Sequence, residues 1–371
     1  MDALLVPMTL RTTVALGMLA FVPLSIAAET LHWGDGAVFV TSILAIIPLA
    51  IWLSTATEEL ALALGPSIGA LLNALFGNAT ELIIALTALR AGLVDIVKAS
   101  ITGTVVANLL LALGLSMLVG GIGRREQSFQ PVVARVNGTT MTLAVLAIVI
   151  PSLTQMGQGE RGVAGSESFS VFVAWVLLLV YGLTLLFSLR THKGLFEVAE
   201  ADLEDQGHQR GRRPRLLPWL LVLVLATAGV AYESEMFVGV VEGVTESFGL
   251  TPLFTGVVLL PLLGGVAEYL TAVTMARKDK MDLAVSVALG STLLVALLVV
   301  PLLVLIGPLM GHPIDLHFEL YELVAIITAV VVSNLVSLDG RSDWLEGVLL
   351  LAAYVILAAG FYFQPAVLAA A

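Results

Sequence analysis

The 371-residue sequence contains no cysteine. Without thiols there is no disulfide, no iron–sulfur cluster and no thiolate zinc site. Histidine is scarce, and His32, His192, His208, His312 and His317 lie in polar stretches, never at the spacing of a helical zinc pair. No phosphate-cradling glycine loop and no nucleophile elbow is present. With no nucleophile–base pair in sight, the chain is read as a non-enzyme that needs no cofactor. Charge is scarce as well: charged residues are 12% of the chain, about half of the usual ~25%. Basic residues are the rarer sign, 17 against 28 acidic, and a net charge of −11 excludes nucleic acid as a partner.

Apolar residues fill the space that charges leave, at 58% of the chain, with a mean hydropathy of +1.02. So few charges cannot cover such a surface in water, so the chain is read as an all-α polytopic membrane protein. A bilayer core of ~30 Å needs roughly 20 apolar residues per helix. Eleven spans are expected at Thr13–Leu31, Ala37–Thr57, Ser67–Leu89, Ile96–Ile122, Gly138–Thr154, Phe169–Leu189, Leu216–Tyr232 (extending toward Thr245), Pro252–Ala276, Leu283–Leu309, Leu320–Leu338 and Trp344–Phe363. They are too uniformly apolar for outer-membrane strands, which alternate. Arg11 before the first run and Ser25-Ile26-Ala27-Ala28 at its end also fit a signal peptide, but the long n-region with Asp2 favours a retained span. With the N-terminus in the cytoplasm and the C-terminus outside, fourteen basic residues fall inside and three (Arg90, Lys98, Arg161) outside, which obeys the positive-inside rule. The expected layout is an extra N-terminal helix (1–35), a five-helix half (36–190), a linker (191–215) and a second five-helix half (216–371). The linker is acidic first (Glu197, Glu200, Asp202, Glu204, Asp205) and then basic (Arg210, Arg212, Arg213, Arg215).

Two charges break the pattern of polar ends and apolar middles. Glu81 is the only charge between Leu60 and Leu89, and Glu268 is the only charge between Ser247 and Ala276. The two stretches lie at a constant offset of 187, which also pairs Gly77 with Gly264, Thr87 with Thr274, Arg90 with Arg277, Asp95 with Asp282 and Gly103 with Gly290. This is an internal repeat. Its glutamate spans are third and eighth in order, an odd separation, so the copies are expected to run in opposite directions, as in many secondary transporters. A carboxylate at the bilayer centre costs roughly 2.5–3.5 kcal/mol, which calls for a cation, a proton or a wet cavity. Asn78 lies three residues before Glu81 on the same helix face. Gly77 and Gly264-Gly265 permit close approach or unwinding one turn before each glutamate. Thr104, Asn108 and Ser291 add oxygen-bearing side chains on the following spans. An all-oxygen set suits a hard cation such as calcium.

The run Leu72-Asn73-Ala74-Leu75-Phe76-Gly77-Asn78-Ala79-Thr80-Glu81-Leu82-Ile83 resembles the first α-repeat of calcium/proton exchangers, the CAX family within the cation/calcium exchanger superfamily. The resemblance extends through Ala56-Thr57-Glu58-Glu59-Leu60, Lys278-Asp279-Lys280-Met281-Asp282 and Trp344-Leu345-Glu346-Gly347, and covers everything from the second span onward. It implies two inverted five-helix repeats, an extra first helix and an acidic helix between the halves. It also implies that Glu81 and Glu268 are paired ion-binding carboxylates, with Asn78 and backbone carbonyls alongside. The candidate metal-ligating set is therefore Glu81, Glu268, Asn78, Gly77, Gly264, Asn108 and Ser291. The second copy departs from the family pattern: Gly265 stands where an asparagine is usual, Tyr269 where a histidine is usual, and Leu294 where a glutamine is usual. The expected function is antiport of calcium against protons in a bacterial-type plasma membrane. The alternatives are an exchanger for sodium, potassium or another divalent ion, or a cation channel. Expected partners are calcium ions, protons and the lipid bilayer, with homo-oligomerisation left open.

Overall fold

The computed structural model describes residues 10–158, 163–192 and 215–364. Nearly all of the linker, with its acidic and basic clusters, lies outside the described residues. The described chain is helical apart from one two-residue antiparallel pairing, β1 (Gln127–Ser128) with β2 (Arg341–Ser342). In chain order, α1 (Leu10–Met18) and α2 (Phe21–Thr30) make up the first apolar stretch, α3 (Asp35–Leu64) the second, and α4 (Pro66–Phe76) with α5 (Ala79–Arg90) the third. Then come α6 (Val94–Gly121), α7 (Pro131–Thr154), α8 (Glu167–Thr191) and α9 (Leu216–Ser247). A pair bent by 59°, α10 (Pro252–Gly264) and α11 (Val266–Arg277), is followed by α12 (Met281–Met310), α13 (Leu320–Val336) and α14 (Trp344–Phe363). Among the described residues, seven of these helices are long and apolar enough to cross a bilayer alone, or eight if the bent pair is one span. Shorter apolar helices occupy the other expected stretches. The protein is an all-helical integral membrane protein.

Several expected boundaries moved, two of them beside glutamates. The stretch Ser67–Leu89 is not one helix: it stops at Phe76 and restarts at Ala79, because Gly77 and Asn78 turn the chain. The span beginning at Leu216 does not stop near Tyr232 but continues to Ser247, which puts Glu233 and Ser234 inside the helix.

The repeat is visible in the backbone. At the offset of 187, α5 and α11 coincide residue for residue at 12 residues each, and α6 and α12 start at matching positions, Val94 and Met281. Each of these two long helices carries a π-helical stretch at the matching place, Ala107–Ala112 and Val295–Val299. The turns before them also match: Gly92 has φ 82° and Asp279 has φ 62°. Glycine takes this left-handed conformation freely, and aspartate is among the few other residues that tolerate it. One feature is not shared, since the π-helical stretch Thr255–Leu259 has an ordinary α-helix at 68–72 as its counterpart.

The chain forms two compact units. The first comprises α1 to α5, α9 and the segment Leu263–Ala267, where α10 breaks into α11. Here α3 and α9 lie against each other, with Phe39 and Phe237 stacked at 5.4 Å. Its core joins Leu53, Ala56 and Leu60 of α3, Ala79 of α5, and Trp219, Leu223 and Ala226 of α9. The second unit comprises α6 to α8, most of α10 and α11, and α12 to α14. In it, Gly103 of α6 faces the Val257 carbonyl and Pro261, while Gly256 of α10 faces Ala99 and the Ile96 carbonyl. Any side chain at either glycine would push these two helices apart, and small residues of this kind are how apolar helices approach closely in a membrane. The loop between α12 and α13 is held by side chains. Ser152 Oγ accepts from the Phe318 N–H at 3.0 Å, Ser170 Oγ accepts from the Leu316 N–H at 3.0 Å, and Lys98 pairs with Asp315. Many of the exposed positions are apolar. Leu217, Leu221 and Leu225 recur at four-residue spacing along α9, a face fit for lipid.

Candidate ion-binding site

Each lone glutamate sits in the first turn of a half-helix that begins just after a break: Glu81 is the third residue of α5 and Glu268 the third residue of α11. The break that precedes α5 is Gly77-Asn78, and the one that precedes α11 is Gly265, the counterpart of Asn78 in the repeat. Breaking a helix inside the apolar layer leaves carbonyls at the end of one half without the next turn's donors, and turns the positive end of the second half toward the gap. Irregular backbone at this depth persists only where it is buried in protein or lines a cavity.

In the first unit, Glu81 has both carboxylate oxygens shielded from solvent and without a hydrogen-bond partner among the described residues. Gly264 lies beside it, so close that a Cβ there would stand 2.9 Å from Glu81 Cγ. The glycine of the second copy therefore makes room for the glutamate of the first. Asn78, at the break, is buried, and Thr80 beside it is buried too. Gly77 packs against the Asn73 carbonyl. The structure thus brings Gly264 against Glu81, with Gly77 and Asn78 in the break one turn before it.

In the second unit, Asn108 lies within the π-helical stretch of α6 and its Nδ2 donates to Ser291 Oγ of α12 at 2.9 Å, both side chains buried. A further predicted pair is thereby in direct contact. Glu268 is half-buried on α11. The residue after it, Tyr269, is buried and its hydroxyl donates to the Pro261 carbonyl of α10 at 2.9 Å, a tie across the break. This gives the substituted tyrosine a role in the backbone of the break. Among the described residues no three His, Asp or Glu side chains converge. A cation here would draw oxygens from amides, hydroxyls and backbone as well as from carboxylates, in the manner of a hard ion with 6–8 oxygen ligands.

Sequence reasoning passed over three acidic contacts, two buried and one partly buried. Glu233 meets Ser25, Glu322 accepts from Thr102 Oγ1 at 3.0 Å, and Asp315 meets Lys98. Each joins residues more than 200 positions apart, and the only sequence signal was a charge near the end of an apolar run.

A family model described as sodium/calcium exchanger protein matches residues 35–190 and 218–363. The chain belongs to the sodium/calcium exchanger family. Within this family it is 49% identical to a Ca2+/H+ antiporter of Aphanothece halophytica, over 96% of this chain and 98% of that one. It is 42% identical to the Ca2+/H+ antiporter ChaA of Bacillus subtilis, over 92% and 97%. The solved structure of native YfkE superposes with a TM-score of 0.82 at 38% identity, covering 95% of this chain and all of that one. An H+/Ca2+ exchanger, CAX, shares the fold at a TM-score of 0.70 and 14% identity.

Proposed function

We propose that this exchanger-family member moves calcium across a membrane in exchange for protons, with Glu81 and Glu268 as carboxylates that the two cargoes share. The observation that carries this reading is Glu81: a carboxylate at a helix break, both oxygens shielded and without a hydrogen-bond partner among the described residues, next to a glycine whose missing Cβ would crowd it. Its counterpart Glu268 occupies the equivalent first turn of α11. Two relatives, Ca2+/H+ antiporters at 49% and 42% identity, support the same cargo. Two carboxylates neutralise one divalent ion, and two protons neutralise the same pair, so each load excludes the other. Asn78, Asn108 and Ser291, with backbone oxygens near Gly77 and Gly264, supply the uncharged ligands. The two five-helix halves, 36–190 and 216–371, run in opposite senses, and the chain lies in a bacterial-type plasma membrane with its N-terminus in the cytoplasm. The test is calcium uptake into proteoliposomes driven by an imposed pH gradient, with sodium and potassium run in parallel. Uptake that needs the gradient and moves protons the other way supports exchange. Passive calcium flux with no proton movement would make the protein a channel instead.

A further inference from the structure

The extra N-terminal stretch meets the rest of the first unit through a buried hydroxyl and a buried carboxyl. Ser25 of α2 and Glu233 of α9 are both fully buried, and Ser25 Oγ lies 2.7 Å from Glu233 Oε1. The same Oγ lies 2.8 Å from the Val22 carbonyl, one turn back on its own helix. Among the described residues Glu233 Oε2 has no hydrogen-bond partner, and neither does the hydroxyl of the adjacent, equally buried Ser234. Around this contact the packing is apolar, with Ala28 of α2, Val38 of α3 and Met236 of α9 forming one cluster.

Counting protons decides what this arrangement needs. A serine hydroxyl has one hydrogen, and here two acceptors flank it, a carbonyl and a carboxyl oxygen. If Glu233 is ionised, the two acceptors compete for one hydrogen while the other carboxylate oxygen is left bare in an apolar setting, the costliest way to bury a charge. If Glu233 carries a proton on Oε1, that O–H donates to Ser25 Oγ, and the Ser25 O–H is then free to donate to the Val22 carbonyl. Every hydrogen has one acceptor, and Oε2 becomes a neutral carbonyl oxygen. No cation offsets the alternative: among the described residues Glu233 makes no ion pair. The titratable groups of the helices packed on α9 that face it are Glu29, one turn along α2 from Ser25, and Tyr232 beside it, whose hydroxyl donates to Glu29 Oε2 at 3.4 Å.

We propose that Glu233 is a second proton-binding site, separate from the ion-binding glutamates, and that its proton fastens α2 to α9 through Ser25. Proton binding and helix docking are then reciprocal: docking holds the proton, and the proton holds the helix. Docking is complete at low pH and loosens as pH rises and the proton leaves.

The chain's lack of cysteine gives a direct test. A reporter Ala28→Cys, at a position shielded by α2 docking, is labelled with a small maleimide in detergent-solubilised protein. Leu31→Cys, exposed just beyond α2, is the reference that corrects for the pH dependence of the thiol itself. The ratio of the two labelling rates is expected to rise at least tenfold from pH 5 to pH 9 with Glu233 in place. In Glu233→Gln, an uncharged mimic of the protonated acid, it is expected to stay low throughout. The same ratio curve in both proteins would overturn the proposal. A second measurement uses no reporter: the infrared spectrum of the otherwise unaltered protein should show the carbonyl stretch of a protonated carboxylic acid that Glu233→Gln removes. A spectrum in which Glu233→Gln removes only carboxylate bands would overturn it as well.

Discussion

Glu81 and Gly264 are one unit of design, although 183 residues separate them in the chain. The carboxylate oxygens have no hydrogen-bond partner among the described residues, and the glycine leaves out a Cβ that would stand 2.9 Å from Glu81 Cγ. Glu81→Gln and Glu268→Gln are each expected to reduce gradient-driven calcium uptake to the level of protein-free vesicles, while insertion and the thermal melt are kept. Uptake near the unmodified rate in either variant would remove that residue from the ion site. A subtler change reads the packing. Gly264→Ala places a methyl 2.9 Å from Glu81 Cγ, and the carboxylate must shift to admit it. Apparent calcium affinity should weaken about tenfold, the equivalent of ~1.4 kcal/mol, with folding intact. An unchanged affinity would mean that the carboxylate does not work from the position seen here.

Among the helices, each broken pair carries one of the two proposed glutamates, and the tie across one break is testable. Tyr269→Phe removes the donor to the Pro261 carbonyl and nothing else of the ring. The expected loss is about 1 kcal/mol of stability, typical of one neutral hydrogen bond, seen as a lower melting temperature in detergent. The contact between Asn108 and Ser291 is suited to a double-mutant cycle. If the 2.9 Å bond matters for calcium affinity, Asn108→Ala, Ser291→Ala and the double variant should be non-additive. Strict additivity would assign the two residues separate roles.

At the scale of the molecule, coupling is a matter of shared charge. With protons and calcium competing for the same carboxylates, as proposed, calcium affinity should fall steeply as pH falls, and calcium binding should expel protons from the solubilised protein. Calorimetry in buffers of different ionisation enthalpy counts those protons. Zero release between pH 6 and 8, with binding intact, would rule out a shared site. Orientation is a separate matter, resting on the split of fourteen basic residues to three. Single cysteines near Gly211 and Gly249 should be labelled from opposite sides of the membrane; labelling from one side would undo the inverted arrangement.

Hydropathy by itself determined that the chain is a helical membrane protein and roughly where its spans lie, because a bilayer demands long apolar runs and tolerates almost nothing else. Spacing by itself determined the repeat and singled out Glu81 and Glu268, because a lone charge in 30 apolar residues stands out and a second at the same offset is hard to explain otherwise. Only the tertiary structure decided which glycine does what. Gly77 and Gly265 sit at breaks, Gly264 clears space for Glu81, and Gly103 with Gly256 lets two helices touch. A glycine in a sequence permits all of these roles, and the neighbour that selects one is distant along the chain. The same holds for Glu233, which hydropathy placed near a span end and the fold placed against Ser25 inside the protein. Periodicity and composition are local and survive in the sequence, whereas a hydrogen-bond partner 208 residues away exists only once the helices have packed.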